Sequence, residues 1–195
     1  MLSSDDKVGS GAAAEGRAPL SPLHERLLVL LRGKYQPLYA ILDAAREASV
    51  LKVLFESNAE YQSLYEGSAG TQLAHFAPYV VKLPPESPLL ETLVTQGWGK
   101  SWGVYLTCNL PLAELRRYLR NFLIVKMPDG KQEYFRFYDP RVLRVLLPTC
   151  TPEETARFFG PIESYLVEDE SADQVVHFVI AGKQAKKIMN FMNER

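Results

Sequence analysis

The sequence predicts an α/β (α+β) fold, a mixed β-sheet flanked by helices with a β-hairpin at about residues 122–138. Three observations predict it. Strand-type and helix-type segments alternate irregularly, which departs from a regular βαβ series. Asp129-Gly130 separates two strand-like runs, Phe122–Lys126 and Gln132–Tyr138, as a hairpin turn does. The run Glu133–Tyr138 carries bulky residues on both alternating faces, as a strand covered on both sides does. Tyr134, Arg136 and Tyr138 fall on one face and Phe135 and Phe137 on the other.

Taken in order, residues 1–20 are rich in Gly, Ala and Ser without periodicity and read as a disordered lead. Ser21-Pro22 is an N-cap followed by proline at the first helical position, and Leu23, Leu27, Leu30 and Leu31 then share a face up to Gly33. Leu38–Leu42 is a short strand-type run ending at Asp43, followed by a helix carrying Val50, Leu51 and Leu54. Tyr61–Leu64 and Pro78–Leu83 read as strands, the second closed by Pro84-Pro85. Ser87-Pro88 opens a helix with Leu90, Leu93 and Val94 inward and Gly97 at its end. Trp102–Thr107 reads as a buried strand. Pro111–Phe122 is the clearest amphipathic helix, with Leu112, Leu115, Leu119 and Phe122 as its stripe. After the hairpin, Asp139-Pro140 ends the strand and an apolar run leads to Thr151-Pro152-Glu153-Glu154, which has the spacing of a capping box with Thr151 as N-cap and Glu154 at N3. The short helix this opens ends at Phe158-Phe159-Gly160-Pro161. Strands near Ser164–Val167 and Val175–Ile180 follow, then a last helix carrying Ile188, Met189 and Met192. The organisation is thus a main domain over 21–167 and a short extension, one strand plus one helix, over 168–195.

The bulk properties exclude several function classes. At 195 residues and 47% hydrophobic, the chain can bury a sizeable core. Twenty-two Lys and Arg stand against 23 Asp and Glu, so the basic excess that drives nucleic-acid or anionic-membrane binding is missing. No window approaches the ~20 apolar residues of a membrane span. Cys108 and Cys150 are far apart, which fits a reduced, cytoplasmic chain better than a disulfide framework.

Four groups of residues invite a chemical reading. Gly97-Trp-Gly-Lys100-Ser101 ends as a phosphate loop does, but Val94 stands where that loop needs its first glycine, and the loop here joins a helix to a strand instead of a strand to a helix. It reads as a glycine-rich turn with Trp98 and Trp102 packed beside it. His24, His75 and His177 lack metal-ligand spacing, and no cofactor or metal is expected. Cys150 precedes a helix N-terminus, where the dipole favours a thiolate, so a small cysteine-dependent hydrolase is one reading and an apolar filler the other. Arg136, half-buried on its strand, needs a carboxylate, and Asp43 and Asp139 at strand ends are the candidates.

Several segments resemble a known family, the effector adaptor/chaperone domain of bacterial type VI secretion systems. They are Leu38-YAILDAAR-Glu47, Ser63-LYEG-Ser68, Leu73-AHFAPYVVKL-Pro84, Gln96-GWGKSWGVYL-Thr107, the long run from Leu112 to Thr155, and Arg157-FFGP-Ile162. The run with FRFYDPRVL and LPTCTPEE is the most specific, and together they span roughly residues 36–167. The resemblance implies a non-enzymatic adaptor of the bacterial cytoplasm, without cofactor. It would bind a cognate effector toxin, often through the toxin's N-terminal region, and load it onto the valine-glycine-repeat spike protein. Members often carry a further variable helical region after the shared domain. The residues that would meet partners are the basic face Arg116, Arg117 and Arg120, read equally as a solvated helix face, and the terminal segment Ile188, Met189, Phe191 and Met192, read equally as core. Asp43, Arg136, Tyr138, Asp139, Pro140, Thr151 and Glu154 are read as architecture. An immunity-type protein that neutralises a toxin by binding it is a third reading.

Overall fold

A computed structural model of the chain describes residues 19–127 and 129–191. The expected lead over 1–20 falls, except for its last two residues, outside them. Nine strands and seven α-helices are described. The strands are β1 (Leu38–Asp43), β2 (Tyr61–Ser63), β3 (Pro78–Leu83), β4 (Gly103–Cys108), β5 (Ile124–Lys126), β6 (Gln132–Tyr134), β7 (Ile162–Glu168), β8 (Gln174–Ala181) and β9 (Gln184–Phe191). The helices are α1 (Pro22–Arg32), α2 (Ala48–Glu56), α3 (Gly67–Gln72), α4 (Pro88–Thr92), α5 (Leu112–Arg120), α6 (Pro140–Thr149) and α7 (Pro152–Phe159). The class is α+β, as the irregular alternation predicts.

Seven strands form one sheet in the order β2-β3-β1-β4-β7-β8-β9, and β5 and β6 form a separate hairpin. The sequence suggests a mixed sheet, whereas every described pairing is antiparallel. The reason lies in the order: β3 and β4 run the same way, but both pair with β1 between them, so no parallel neighbours arise.

Alternate residues of the central strands feed two cores. Ala40 and Leu42 of β1 face the layer made by Leu27, Leu28 and Leu31 of α1, Val50 and Leu54 of α2, and Leu89 and Leu90 of α4. Tyr39 and Ile41 face the opposite layer, with Leu115 and Leu119 of α5, Leu143 and Leu147 of α6, and Phe158 and Phe159 of α7. The result is three layers, helices on both faces of the sheet.

Helix starts follow local chemistry. Ser21 Oγ accepts the His24 amide at 3.3 Å ahead of Pro22. Asp139 Oδ1 accepts the Arg141 amide at 3.0 Å ahead of Pro140, opening α6, a helix the sequence reading did not include. Thr151 and Glu154 form the reciprocal capping box of α7, at 3.2 and 2.8 Å. Thr151→Ala is expected to cost about 1 kcal/mol, read as a small drop in urea midpoint at unchanged slope.

Two expected elements differ. The strand expected over Gln132–Tyr138 ends at Tyr134: Phe135 N still donates to Leu123 O at 2.8 Å, and the chain then turns into α6. Period-2 alternation therefore stops, and Phe137 and Tyr138 are both buried in the same core instead of on opposite faces. The last helix, expected to carry Ile188, Met189 and Met192, is instead strand β9, paired with β8 from Gln174↔Phe191 to Ala181↔Gln184. Gly182, at φ 67°, makes the turn a side chain would resist. The unpaired edge of β8 then supplies main-chain partners along eight residues, which outweighs the weak helical preference of methionine. The described part of the expected extension thus holds two strands of the main sheet, and Val175, Val176 and Phe178 lie fully buried in its cores.

Candidate functional site

The basic face of α5 is largely committed within the chain. Arg116 Nε donates to Ser63 O at 2.6 Å, and its Nη1 meets Glu66 at the same distance. Arg120 Nε donates to Leu64 O at 3.0 Å, and its guanidinium also pairs with Glu66. Two of the three arginines therefore clamp the segment after β2 onto α5. Arg117 is exposed.

At the end of β1, Asp43 is fully buried and meets Arg136, whose side chain is 42% exposed. Asp43 also accepts the Ala45 amide at 3.1 Å, turning the chain into α2. Asp139 is taken by Arg141, at 3.0 and 2.6 Å. Burial pushes the Asp139 carboxyl up, but Arg141 more than offsets this and holds it below the usual range. Tyr138 hydrogen-bonds Tyr65, and burial drives its phenol far up, so it stays neutral. These groups close a polar junction under the hairpin, where the rings of Tyr65 and Tyr134 pack tilted at 44°, 5.0 Å between centroids.

The Gly97–Ser101 loop does cradle an anion, and that anion belongs to the chain. Glu168 accepts Gly99 N at 2.6 Å, Ser101 N at 2.8 Å and Ser101 Oγ at 3.0 Å. Gly99 sits at φ 82°, which lets its own amide and that of Ser101 converge on one carboxylate while the Lys100 amide between them turns back to Gly97 O. Burial pushes the Glu168 carboxyl up against the pull of these donors. Trp98 Nε1 donates to Ala172 O at 2.8 Å, and Trp102 Nε1 to Glu47 at 2.9 Å. The loop ties β4 to the β7–β8 turn, and its resemblance to a phosphate loop ends there.

Cys150 is partly buried, and burial with nearby Glu154 raises its thiol pKa, the reverse of an activated thiolate. Among the described residues no group of three or more His, Cys, Asp or Glu could hold a metal. His177 lies half-buried in β8 with Nε2 unpartnered, and burial together with Lys34 lowers its pKa to about 4. The folded state therefore takes up this proton later than the unfolded chain, whose histidine titrates near 6.5. Stability is expected to fall as pH drops from about 6.5 to about 4, by roughly 2 kcal/mol after solvent screening. His177→Gln should flatten that part of a melting-temperature profile against pH.

Of the terminal residues, Ile188 is 37% exposed and Met189 packs against the second core. Phe191 closes β9 by its backbone, and Met192 lies outside the described residues. Sequence reading missed a different apolar surface. Phe55 and Phe76, 51% and 61% exposed, flank a groove of about 490 Å³ floored by Ala44, Ala45, Ala48 and Leu51. Phe55 also packs ring to ring with Tyr61 and Tyr79, the three pairs at 5.8–6.0 Å. One signal was available: Phe55 falls next to Leu54 and off the buried Val50-Leu51-Leu54 stripe of α2.

From β1 to α7 this framework coincides with a known family. The model of the family described as a domain of unknown function (DUF4123) matches residues 38–157, more than half of the chain. The chain belongs to the DUF4123 family. This family is associated with type VI secretion effector adaptors and chaperones. The DUF4123 match takes in the Asp43–Arg136 junction, the aromatic groove and the Gly97–Ser101 loop, whereas β7, β8 and β9 lie beyond it. No curated protein and no solved structure matches the chain. Among the described residues no helix is long and apolar enough to cross a membrane.

Proposed function

We propose that this chain is a non-enzymatic adaptor that binds a cognate type VI secretion effector and couples it to the valine-glycine-repeat spike protein. Membership of the DUF4123 family carries this reading. Two features support it. The residues that first invite chemistry are spent on architecture: Glu168 fills the glycine loop, Asp43 holds Arg136, and Thr151 and Glu154 cap α7. Meanwhile an exposed aromatic groove lies within the matched span, the kind of surface that apolar anchors of a partner fill.

A tagged chain expressed in its native cell, captured and analysed by mass spectrometry, tests the proposal. The expected result is co-capture of an effector toxin and the spike protein. Recovery of neither would overturn the adaptor reading. Protection of a cell against the active toxin by this chain alone would point to immunity instead.

A further inference from the structure

The two edges of the main sheet are built differently. β2, at one edge, has three residues, and its carbonyl side is occupied: Arg116 and Arg120 donate to Ser63 O, and to Leu64 O just beyond it. β9, at the other edge, has eight residues and, among the described strands, pairs only with β8. Among the described residues no side chain caps its backbone as the arginines cap β2. An edge of that length presents a row of unpaired amides and carbonyls, a template for one more strand.

The chemistry of β9 selects among possible occupants. Lys183, Lys186 and Lys187 lie in its turn and first half, and no acidic residue lies between Lys183 and Phe191. A second copy of the chain is disfavoured where antiparallel pairing is centred on Lys187, because that register sets Lys187 of one copy directly opposite Lys187 of the other, about 5 Å apart. Lysine on an edge is a familiar device against such self-pairing. The same lysines favour an acidic strand. Further along, Ile188 is exposed and Asn190 Nδ2 is buried without a partner. Both lie on one face, opposite His177 and Val175 of β8, so a neighbouring strand would place side chains beside them.

We infer that β9 is a docking strand for an extended acidic segment of a partner protein, added to the sheet edge by main-chain hydrogen bonds with its carboxylates against Lys186 and Lys187. The assignment of that partner as effector or spike rests on the adaptor reading above, while the strand addition itself does not.

A capped, fluorescein-labelled eight-residue peptide of glutamate-glutamate-valine-valine repeats, which carries carboxylates on both faces of a strand as Lys186 and Lys187 require, is the probe, titrated by anisotropy against the full chain. The expected result is binding at least tenfold tighter than a lysine-valine peptide of equal length, with slowed hydrogen exchange at the amides of residues 184–190. A proline-interrupted peptide, which leaves the protein untouched, should lose binding. Lys186→Glu with Lys187→Glu should keep the melting temperature and reverse the charge preference. Absent binding, exchange protection at the Phe55–Phe76 groove instead of β9, or a concentration-dependent dimer protected along β9 would each overturn the inference. If the charge-reversed variant captures toxin and spike as well as the parent does, the partner at β9 is neither of them, the adaptor reading stands, and the peptide titration decides the strand addition. If the parent captures neither, the adaptor reading fails, and the peptide titration still decides the role of β9.

Discussion

Glu168→Ala is expected to be among the most destabilising single changes in this chain, costing about 3 kcal/mol. Glu168 is 6% exposed, and its carboxylate accepts three hydrogen bonds from the Gly99–Ser101 loop. Truncation leaves the Gly99 and Ser101 amides and the Ser101 hydroxyl without their acceptor at a nearly closed site. For a chain of this size the loss corresponds to a melting-temperature drop of roughly 6–12 °C. Glu168→Gln should cost less, because the amide keeps one acceptor oxygen, although its NH₂ would face donors. Differential scanning calorimetry on both variants checks the order. A drop of less than about 2 °C for Glu168→Ala would mean that the loop is held by Trp98, through Ala172 O, and not by the carboxylate.

Arg136→Met is expected to cost about 3 kcal/mol for a related reason. Asp43 is fully buried, and removing its partner strands a carboxylate in the interior at the end of a central strand. The half-exposed guanidinium places the cost at the lower end of the range for buried pairs. Asp43→Asn should recover part of the loss when combined with Arg136→Met, since the buried charge is then gone while Oδ1 can still accept from Ala45 N. A double-mutant cycle in urea should give a coupling above about 1 kcal/mol. An unchanged melting temperature for Arg136→Met would remove this pair from the account of the fold.

The pair also shows how far the sequence could be read. A half-buried arginine needs a carboxylate, which was legible from residue types alone. Which carboxylate was not. Asp139 is three residues away and Asp43 is 93 positions away, yet Asp139 spends its oxygens on Arg141 and the start of α6. In the sequence the same Asp139-Pro140 pair reads as the end of a strand, although it obeys the rule of N-cap followed by proline that Ser21-Pro22 and Thr151-Pro152 also follow. The helical signal was present in Leu143 and Leu147, four apart and both buried, and the apparent strand before it obscured it.

The α5 arginines mark a second boundary of legibility. A sequence shows three cations on one helical face. It does not show that Ser63, Leu64 and Glu66, fifty or more residues earlier, fold against that face and occupy two of the three. The aromatic groove was hidden for a like reason, because its walls come from α2 and from the turn before β3, and each phenylalanine alone reads as core.

What the sequence determined by itself is local. Hydrophobic period, proline at helix starts, the Asp129-Gly130 turn and the Thr151–Glu154 capping box each act within a few residues, and β1, β3, α5 and α7 follow from them. The tertiary structure alone decided the rest. It turned the terminal segment into β9, because the exposed edge of β8 offers main-chain partners that no local pattern announces. It made all the sheet's pairings antiparallel by seating β1 between β3 and β4, and it gave the glycine loop its anion in Glu168. Each of these depends on hydrogen-bonding and charged groups that are distant in the chain and must be satisfied once water is excluded.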